Sequence, residues 1–459
     1  MKSKLILCVL LTLLLIGCSD KDAPTVKKRD DFKEIPKSIE KSLNWMGHWM
    51  QEHDRATLVK EVAQNFELMN PDIEVNLKSS IQIMTSRGPE IVGKFLADMI
   101  KSGNIEWDVI RMNQFIYQHV AEQLNDPNWG KKHLVNFEEI EGFKQTQKSF
   151  IFDDPVYRNQ TGGILVGPYI EGYYMAIFYN KDVAEKMGIE IKQYNMTFED
   201  LLGYVKTVYE YNNKHNTNIA AFYESANWIT MKVLFQNLFK SELESFDEAK
   251  KEVGSDEKNR AFLKTLHSFE ELSKYNPLID SYKDNVFFQT RHLVLNDECL
   301  FFINGIWMYN HWMGIDEKKT EKMIPAELPV FRKVNHYSGS FIPTWAVLKD
   351  SPNKEEAIKL LMFWSRPQIA EKWVRYAKAP TGLAGNISSS DIGNDPFDQF
   401  LIKIADKYGS NIHYSDNAGY ILGKENQLLQ QDINEKLLQI LEGKITAQQV
   451  YSEIIIEVK

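Results

Sequence analysis

Apolar residues first fall into a helical period between Leu58 and Met69. Leu58, Val62, Phe66 and Met69 are spaced by four, four and three, one face of a helix that begins near Asp54 and is stopped by Asn70-Pro71. On either side the pattern is that of strands: Leu43-Asn44-Trp45-Met46 before it, and the alternating Ile73, Val75 and Leu77 after it. Ile91, Phe95, Leu96 and Met99 predict a second helix, closed at Gly103, and Trp107-Asp108-Val109-Ile110 a third strand. The succession β-α-β-α-β is the start of a parallel sheet covered by helices. A second such region begins near Tyr173. Met175 to Tyr179 reads as a strand, Thr197-Phe198-Glu199-Asp200 as a capping box, and Leu201, Val205 and Val208 as the apolar face of the helix behind it. Ser351-Pro352 opens a further helix lined by Ala357, Ile358 and Leu361, with Pro352 where a missing N–H costs nothing. There is no internal repeat.

The beginning of the chain is patterned differently. Lys2 and Lys4 precede an apolar run from Leu5 to Ile16, interrupted only by Thr12. Twelve residues fall well short of the roughly 20 that a spanning helix needs, so the run reads as the core of an export signal. It ends in Leu15-Ile16-Gly17-Cys18, which resembles the bacterial lipobox. That resemblance implies cleavage before Cys18 and a diacylglyceryl group on its thiol, anchoring the protein to a membrane outside the cytoplasm. Residues 18–42 are polar and read as a tether. Cys8 would leave with the signal, so only Cys299 remains unmodified and no intramolecular disulfide is available. Cys299 lies in an apolar run and reads as a small buried hydrophobe. Loss of residues 1–17 removes Lys2 and Lys4 and no acid, and moves the net charge from −9 to −11. Such a domain has no electrostatic reason to bind nucleic acid. The roughly 415 residues after the tether are too many for one core and predict two lobes.

Several passages taken in order resemble the extracellular solute-binding proteins of carbohydrate uptake, relatives of the maltose-binding protein. Asn65-Phe66 through Pro71-Asp72-Ile73-Glu74-Val75 is similar to the family's "F-x-K-x-x-P-I-x-V". Trp107-Asp108-Val109-Ile110 stands where the family has "P-D-V", with Trp107 in place of proline. Phe178-Tyr179-Asn180-Lys181-Asp182 resembles "Y-N-K-D", and Thr197-Phe198-Glu199-Asp200 stands for "T-W-E-E". Asn304-Gly305-Ile306-Trp307 matches "N-G-x-W", and Ser351-Pro352-Asn353-Lys354-Glu355 matches "S-x-N-K-E". The resemblance covers nearly everything from Leu43 onward. It implies a two-lobed α/β periplasmic-binding-protein fold with a hinge and an interlobe ligand cleft. The chain would cross the hinge near Pro168–Gly172, Ser340–Ile342 and Ala377–Pro380. The first lobe would then comprise residues 43–168 and 343–376, and the second residues 172–338 and 382–459.

A sugar offers a rim of hydroxyls and an apolar C–H face, so its site combines planar polar side chains with aromatic rings. Trp307 matches the tryptophan of the "N-G-x-W" passage, which stacks on sugar in the resembling family. Glu224 and Trp228 lie where that family presents an acid and a ring to the ligand. Trp49 and Gln51 follow the first strand, and Asn113 and Gln114 the third, at the carboxyl ends where open α/β sheets bind ligands. Ser338 and Gly339 are similar to a small-residue passage where the ligand approaches the backbone. Against every aromatic stands a place in a lobe core, and for Trp364 and Trp373, both on predicted helices, that is the stronger reading. His48, His53 and Asp54 do not have the spacing of a known metal site and read as solvated loop residues. No metal, cofactor or catalytic residue is implied, and no carboxylate pair is singled out for hydrolysis. The expectation is therefore a monomeric, lipid-anchored binding protein that delivers a sugar or oligosaccharide to the permease subunits of an ABC transporter. A carbohydrate-active lipoprotein enzyme and a sugar-sensing partner of a membrane kinase are the alternatives.

Overall fold

The computed structural model describes residues 39–49, 52–78, 89–225, 229–243, 256–284, 292–332, 334, 336–385, 393, 395–412 and 427–458. The signal, Cys18 and most of the tether lie outside them, as do Gln51 and Trp228. In chain order the main elements are β1 (Lys41–Met46), α1 (His53–Met69), β2 (Ile73–Lys78), α2 (Pro89–Ser102), β3 (Val109–Arg111), α3 (Gln114–Leu124), β4 (Glu171–Asn180), α4 (Phe198–His215), β5 (Ala220–Tyr223), α5 (Met231–Glu242) and α6 (Asp256–Ser273). There follow β6 (Cys299–Gly305), α7 (Met308–Met313), β7 (Met323–Ala326), β8 (Gly339–Ile342), β9 (Trp345–Val347), α8 (Lys354–Trp364), α9 (Pro367–Ala377), α10 (Pro396–Tyr408), α11 (Gln427–Leu441) and α12 (Ala447–Val458).

The first sheet has the order β2-β1-β3-β9. β1 pairs in parallel with β2 from Lys41↔Ile73 to Met46↔Lys78 and with β3 at Trp45↔Val109, while β9 closes the edge antiparallel to β3. This is the expected parallel start, with differences in detail. β1 begins at Lys41, inside the stretch read as tether, because backbone pairing with Ile73 and Glu74 does not depend on an apolar side chain. In α2 the inward face is Val92, Leu96 and Met99, and Ile91 points to solvent. The helix read as opening at Ser351-Pro352 begins at Lys354 instead. Ser351 donates its hydroxyl to the buried Asp108 at 2.6 Å, which also accepts from the Asn44 amide at 2.7 Å, so the turn before α8 is tied to β1 and β3.

The second sheet runs β5-β6-β4-β7, with β8 also on β4. Only β5 and β6 are parallel; β4 is antiparallel to β6, β7 and β8. The expected second parallel region is thus a mixed sheet. β4 is buried at every position but Tyr173 and Tyr179, and an apolar run of that kind carries no periodicity from which strand direction could be read. The Thr197–Asp200 capping box is formed in both directions, and Leu201, Val205 and Val208 are buried beneath α4. Cys299 is buried and its thiol is pushed up by burial.

A tryptophan stack fills the core under the first sheet. Trp45, Trp345 and Trp364 meet with ring centroids 4.9–6.0 Å apart, and Trp49 packs 5.3 Å from Trp345 and 4.8 Å from Trp373. The chain passes between the sheets three times, and the passages lie side by side. Glu171–Tyr174 of β4 pairs with Gly339–Ile342 of β8, the Gly172 amide donates to the Pro380 carbonyl at 2.8 Å, and the Gly382 amide donates to the Tyr169 carbonyl at 2.9 Å.

Glu224 organises the turn from β5 to α5. It is only 1% exposed, and its carboxylate accepts from the backbone of Ser225, Thr230 and Met231 at 2.9–3.0 Å and from the Thr230 hydroxyl at 3.2 Å. The first amides of α5, which have no partner within the helix, thereby find one. Burial pushes the carboxyl up to about 7, while those N–H donors pull the other way. Since the folded value lies above the unfolded one, near 4.3, the stability from this group is fully present at low pH and lost as pH rises through about 7. Glu224→Gln does not titrate, and it turns an amide NH₂ toward N–H donors. Urea unfolding from pH 4 to 8 should show the wild type's advantage over Glu224→Gln shrinking by up to about 3 kcal/mol between pH 4.5 and 7.5. A pH-independent gap would mean that Glu224 stays ionised throughout.

Candidate functional site

The parallel strands of both sheets end toward the three passages. β1 and β3 run in register and finish at Met46 and Arg111; β5 and β6 finish at Tyr223 and Gly305, beside the first residues of β4. Carboxyl ends of parallel strands are where α/β sheets leave open backbone and turns, hence room for a ligand.

The candidate residues divide on inspection. Trp307 follows β6 and remains partly exposed. Its ring lies over Gly305, where an added Cβ would come within 2.0 Å of it, and its edge meets Tyr173 at 5.1 Å between centroids. Ile306 donates its amide to the Tyr174 carbonyl at 3.0 Å, which fixes this turn against β4. Asn113 and Gln114 stand at the end of β3, both partly exposed. Asn113 is the N-cap of α3, its side-chain oxygen accepting from the Ile116 amide at 2.9 Å. The others are enclosed. Trp49 is 1% exposed, stacked on His48 at 4.5 Å and packed against Trp345 and Trp373, so its ring has no face open to a sugar. Its backbone has φ +58°, an uncommon conformation for a bulky residue. Ser338 is 2% exposed and donates to Asn237 at 3.3 Å. Gly339 is needed for packing, since a Cβ there would come 2.3 Å from the Tyr173 carbonyl oxygen. Glu224 has its carboxylate filled by the start of α5. Gln51 and Trp228 lie outside the described residues.

Charged side chains not foreseen from sequence gather in the same place. Arg55, at the start of α1, is 1% exposed and lies between two indoles, its guanidinium carbon 5.7 Å from the Trp49 ring and 5.1 Å from that of Trp373. It faces two buried carboxylates, Glu52 at 3.3 Å and Glu171 at 3.6 Å. His48 Nε2 lies 4.0 Å from Glu171, and His311 of α7 approaches Glu52 at 3.9 Å. Burial holds His48 well below its usual value, with Arg111 and Arg55 adding to the effect, so it is neutral at physiological pH. Burial raises the Glu171 carboxyl, against the pull of Arg55 and Arg111. Burial likewise lowers Arg111, against the attraction of Glu171 and Glu52. His48, read as a solvated loop residue, is in fact buried, whereas His53 pairs with Asp54 at the surface.

Glu171 and Tyr173 are two apart on β4 and share a face of the strand. His311 is one helical turn beyond Trp307. The charged group and the aromatic pair are therefore contiguous: Trp307 and Tyr173 form a wall, with His311, Glu52, Glu171, Arg55 and Arg111 beside it. The sequence does carry a signal for Arg55. With Leu58, Val59 and Val62 it falls on the apolar stripe of α1, where a charge must be buried. Among the described residues no three of His, Cys, Asp or Glu are grouped to hold a metal ion, and no helix is long and apolar enough to cross a membrane.

Comparison with solved structures places this architecture among two-lobed binding proteins. A protein of Caldanaerobius polysaccharolyticus studied for xylan utilization superposes with a TM-score of 0.65 at 14% identity, over 91% of this chain and 100% of that one. The GacH receptor of Streptomyces glaucescens, solved unliganded and with acarbose, gives 0.64 at 12% identity, over 91% and 97%. Maltose-bound MalE3 of T. maritima gives 0.62 at 14% identity, over 91% and 99%. No curated protein matches by sequence. Residues 61–396, well over half of the chain, match the profile of one family, and the chain belongs to it: it is a bacterial extracellular solute-binding protein.

Proposed function

We propose that the solute is a saccharide, held between the lobes and handed to the permease subunits of an ABC transporter. The observation that carries this reading is Trp307, partly exposed, braced by Tyr173 and Gly305, beside a cluster of planar charged groups. An aromatic face for C–H groups next to planar hydrogen-bonding groups for hydroxyls is the chemistry a sugar needs. Related architectures were solved with maltose and with acarbose. The ligand-facing set is Trp307, Asn113 and Gln114, to which Tyr173, His311 and Arg111 are added. Gln51 and Trp228 keep their places in the proposal. Trp49, Glu224, Ser338 and Gly339 act from behind, as packing and turn-forming residues. The lobes would be residues 43–168 with 343–376 and 172–338 with 382–459, turning about the three adjacent passages. The lipobox register of Leu15-Ile16-Gly17-Cys18 supports a lipid anchor on Cys18.

Two measurements test this reading. In calorimetric titration with a panel of oligosaccharides, Trp307→Ala should weaken binding by about thirtyfold, or about 2 kcal/mol, with little change in melting temperature. Gly305→Ala should imitate it by displacing the ring. Full affinity in either stable variant removes Trp307 from the site. In cells, Cys18→Ala should move the protein from the detergent phase to the aqueous phase on Triton X-114 partition. Retention in the detergent phase rejects the anchor.

A further inference from the structure

Arg111 ends β3 at the mouth of the charged cluster and is partly exposed. Among the described residues its guanidinium makes no hydrogen bond or ion pair, although Glu52 and Glu171 are near enough to attract it. The geometry explains why it is left over. Arg55, deeper in, takes both carboxylates at 3.3 and 3.6 Å, and Glu171 also accepts from the Trp49 side chain. Among the described residues Arg55 Nε and Nη2 also meet no acceptor, though Arg55 is 1% exposed. The cluster therefore contains more N–H donors than acceptors. With both glutamates ionised it has no net charge of its own, so the excess is in unmade hydrogen bonds, and a buried donor without a partner is costly. An arginine partly withdrawn from water and left unpaired opposes stability until an acceptor arrives.

A neutral sugar hydroxyl can accept from this cluster but also brings a donor of its own. A carboxylate accepts only, and its two oxygens match the planar fork of a guanidinium. We infer that Arg111 is a carboxylate-recognising residue of the cleft and that the preferred ligand is an acidic saccharide bearing a uronic acid. The sugar ring lies on the Trp307–Tyr173 wall and its carboxylate on Arg111. Arg55 is a positioning residue: it holds Glu52 and Glu171 away from Arg111 and so keeps that fork open. This inference rests on the saccharide reading of the cleft and goes further in naming the class.

The test is calorimetric titration of the full chain, solubilised in detergent, with glucuronic- and galacturonic-acid oligosaccharides. The comparison arms are the same compounds with carboxyls reduced to hydroxymethyl groups, and neutral oligosaccharides carrying sulfate esters. Carboxyl reduction should weaken binding at least about thirtyfold, because a site built around a charged hydrogen bond rejects an analogue lacking it. Arg111→Gln should weaken binding of the acidic compounds at least about thirtyfold and abolish the preference for them over the reduced ones. The free variant should melt close to the wild type, since Arg111 makes no hydrogen bond or ion pair among the described residues. Equal binding of acidic and reduced compounds overturns the carboxylate assignment and leaves the saccharide reading standing. A preference for the sulfated arm also overturns it. No binding in any arm removes both. A large fall in the melting temperature of free Arg111→Gln would show that Arg111 supports the fold, and would overturn its assignment to a ligand.

Discussion

The short antiparallel pairing of Glu171–Tyr174 with Gly339–Ile342 fixes where two of the three passages between the sheets run. Each sheet has its own order; Thr344, just beyond this pair, accepts from the Met112 amide at the end of the first sheet, and the passage at Ala377–Thr381 lies beside it. The three backbones approach so closely that side chains are excluded at two points. A Cβ on Gly172 would lie 2.6 Å from the Pro380 carbonyl oxygen, and one on Gly339 2.3 Å from that of Tyr173. These glycines are required by close approach of backbone and not by an unusual dihedral. Gly339 therefore has a structural explanation that makes a direct ligand contact unnecessary.

Two side chains of the candidate site, Glu171 and Tyr173, are placed by that strap. The alternation of β4 sends Glu171 and Tyr173 to one face, Gly172 and Tyr174 to the other. Glu171 is drawn among Arg55, His48 and Trp49, and Tyr173 receives the edge of Trp307. A one-residue slip of β4 against β8 would exchange the two faces and dismantle both halves of the site together. Asn310 adds a second restraint: its side-chain amide donates to the Ala377 carbonyl at 2.8 Å, so α7, which carries His311, is tied to the third passage.

Local chemistry was legible in the sequence where it acts over a few residues. The capping box at Thr197, the stop at Asn70-Pro71 and the parallel start of the first sheet all depend on neighbours close in the chain. The order of the second sheet was not legible, because β4 and β6 are buried along nearly their whole length and such strands read alike in either direction. For the site the limit was different. Residue type and proximity to a strand end select Trp49 as readily as Trp307. What separates them is that α9 delivers Trp373, and β9 delivers Trp345, onto Trp49, whereas Trp307 has a glycine beneath it and stays partly exposed. Those partners lie about 300 positions away in the chain and leave no local mark.

Arg55 shows how the core and the site depend on each other. A guanidinium 1% exposed would be a large liability in an apolar core, yet here it is tolerated because indoles cover its two faces and carboxylates meet its edge. The indoles belong to the tryptophan stack under the first sheet, and the carboxylates to the loop after β1 and to the strap. The same side chain is thus a core residue by its faces and a site residue by its edge. Its carboxylate partners differ in where they sit. Glu171 is on the strap itself, while Glu52 reaches toward His311 on the far sheet's helix at 3.9 Å. Glu171 thus anchors the charge cluster to the strap, and Glu52 carries it to the helix that follows β6.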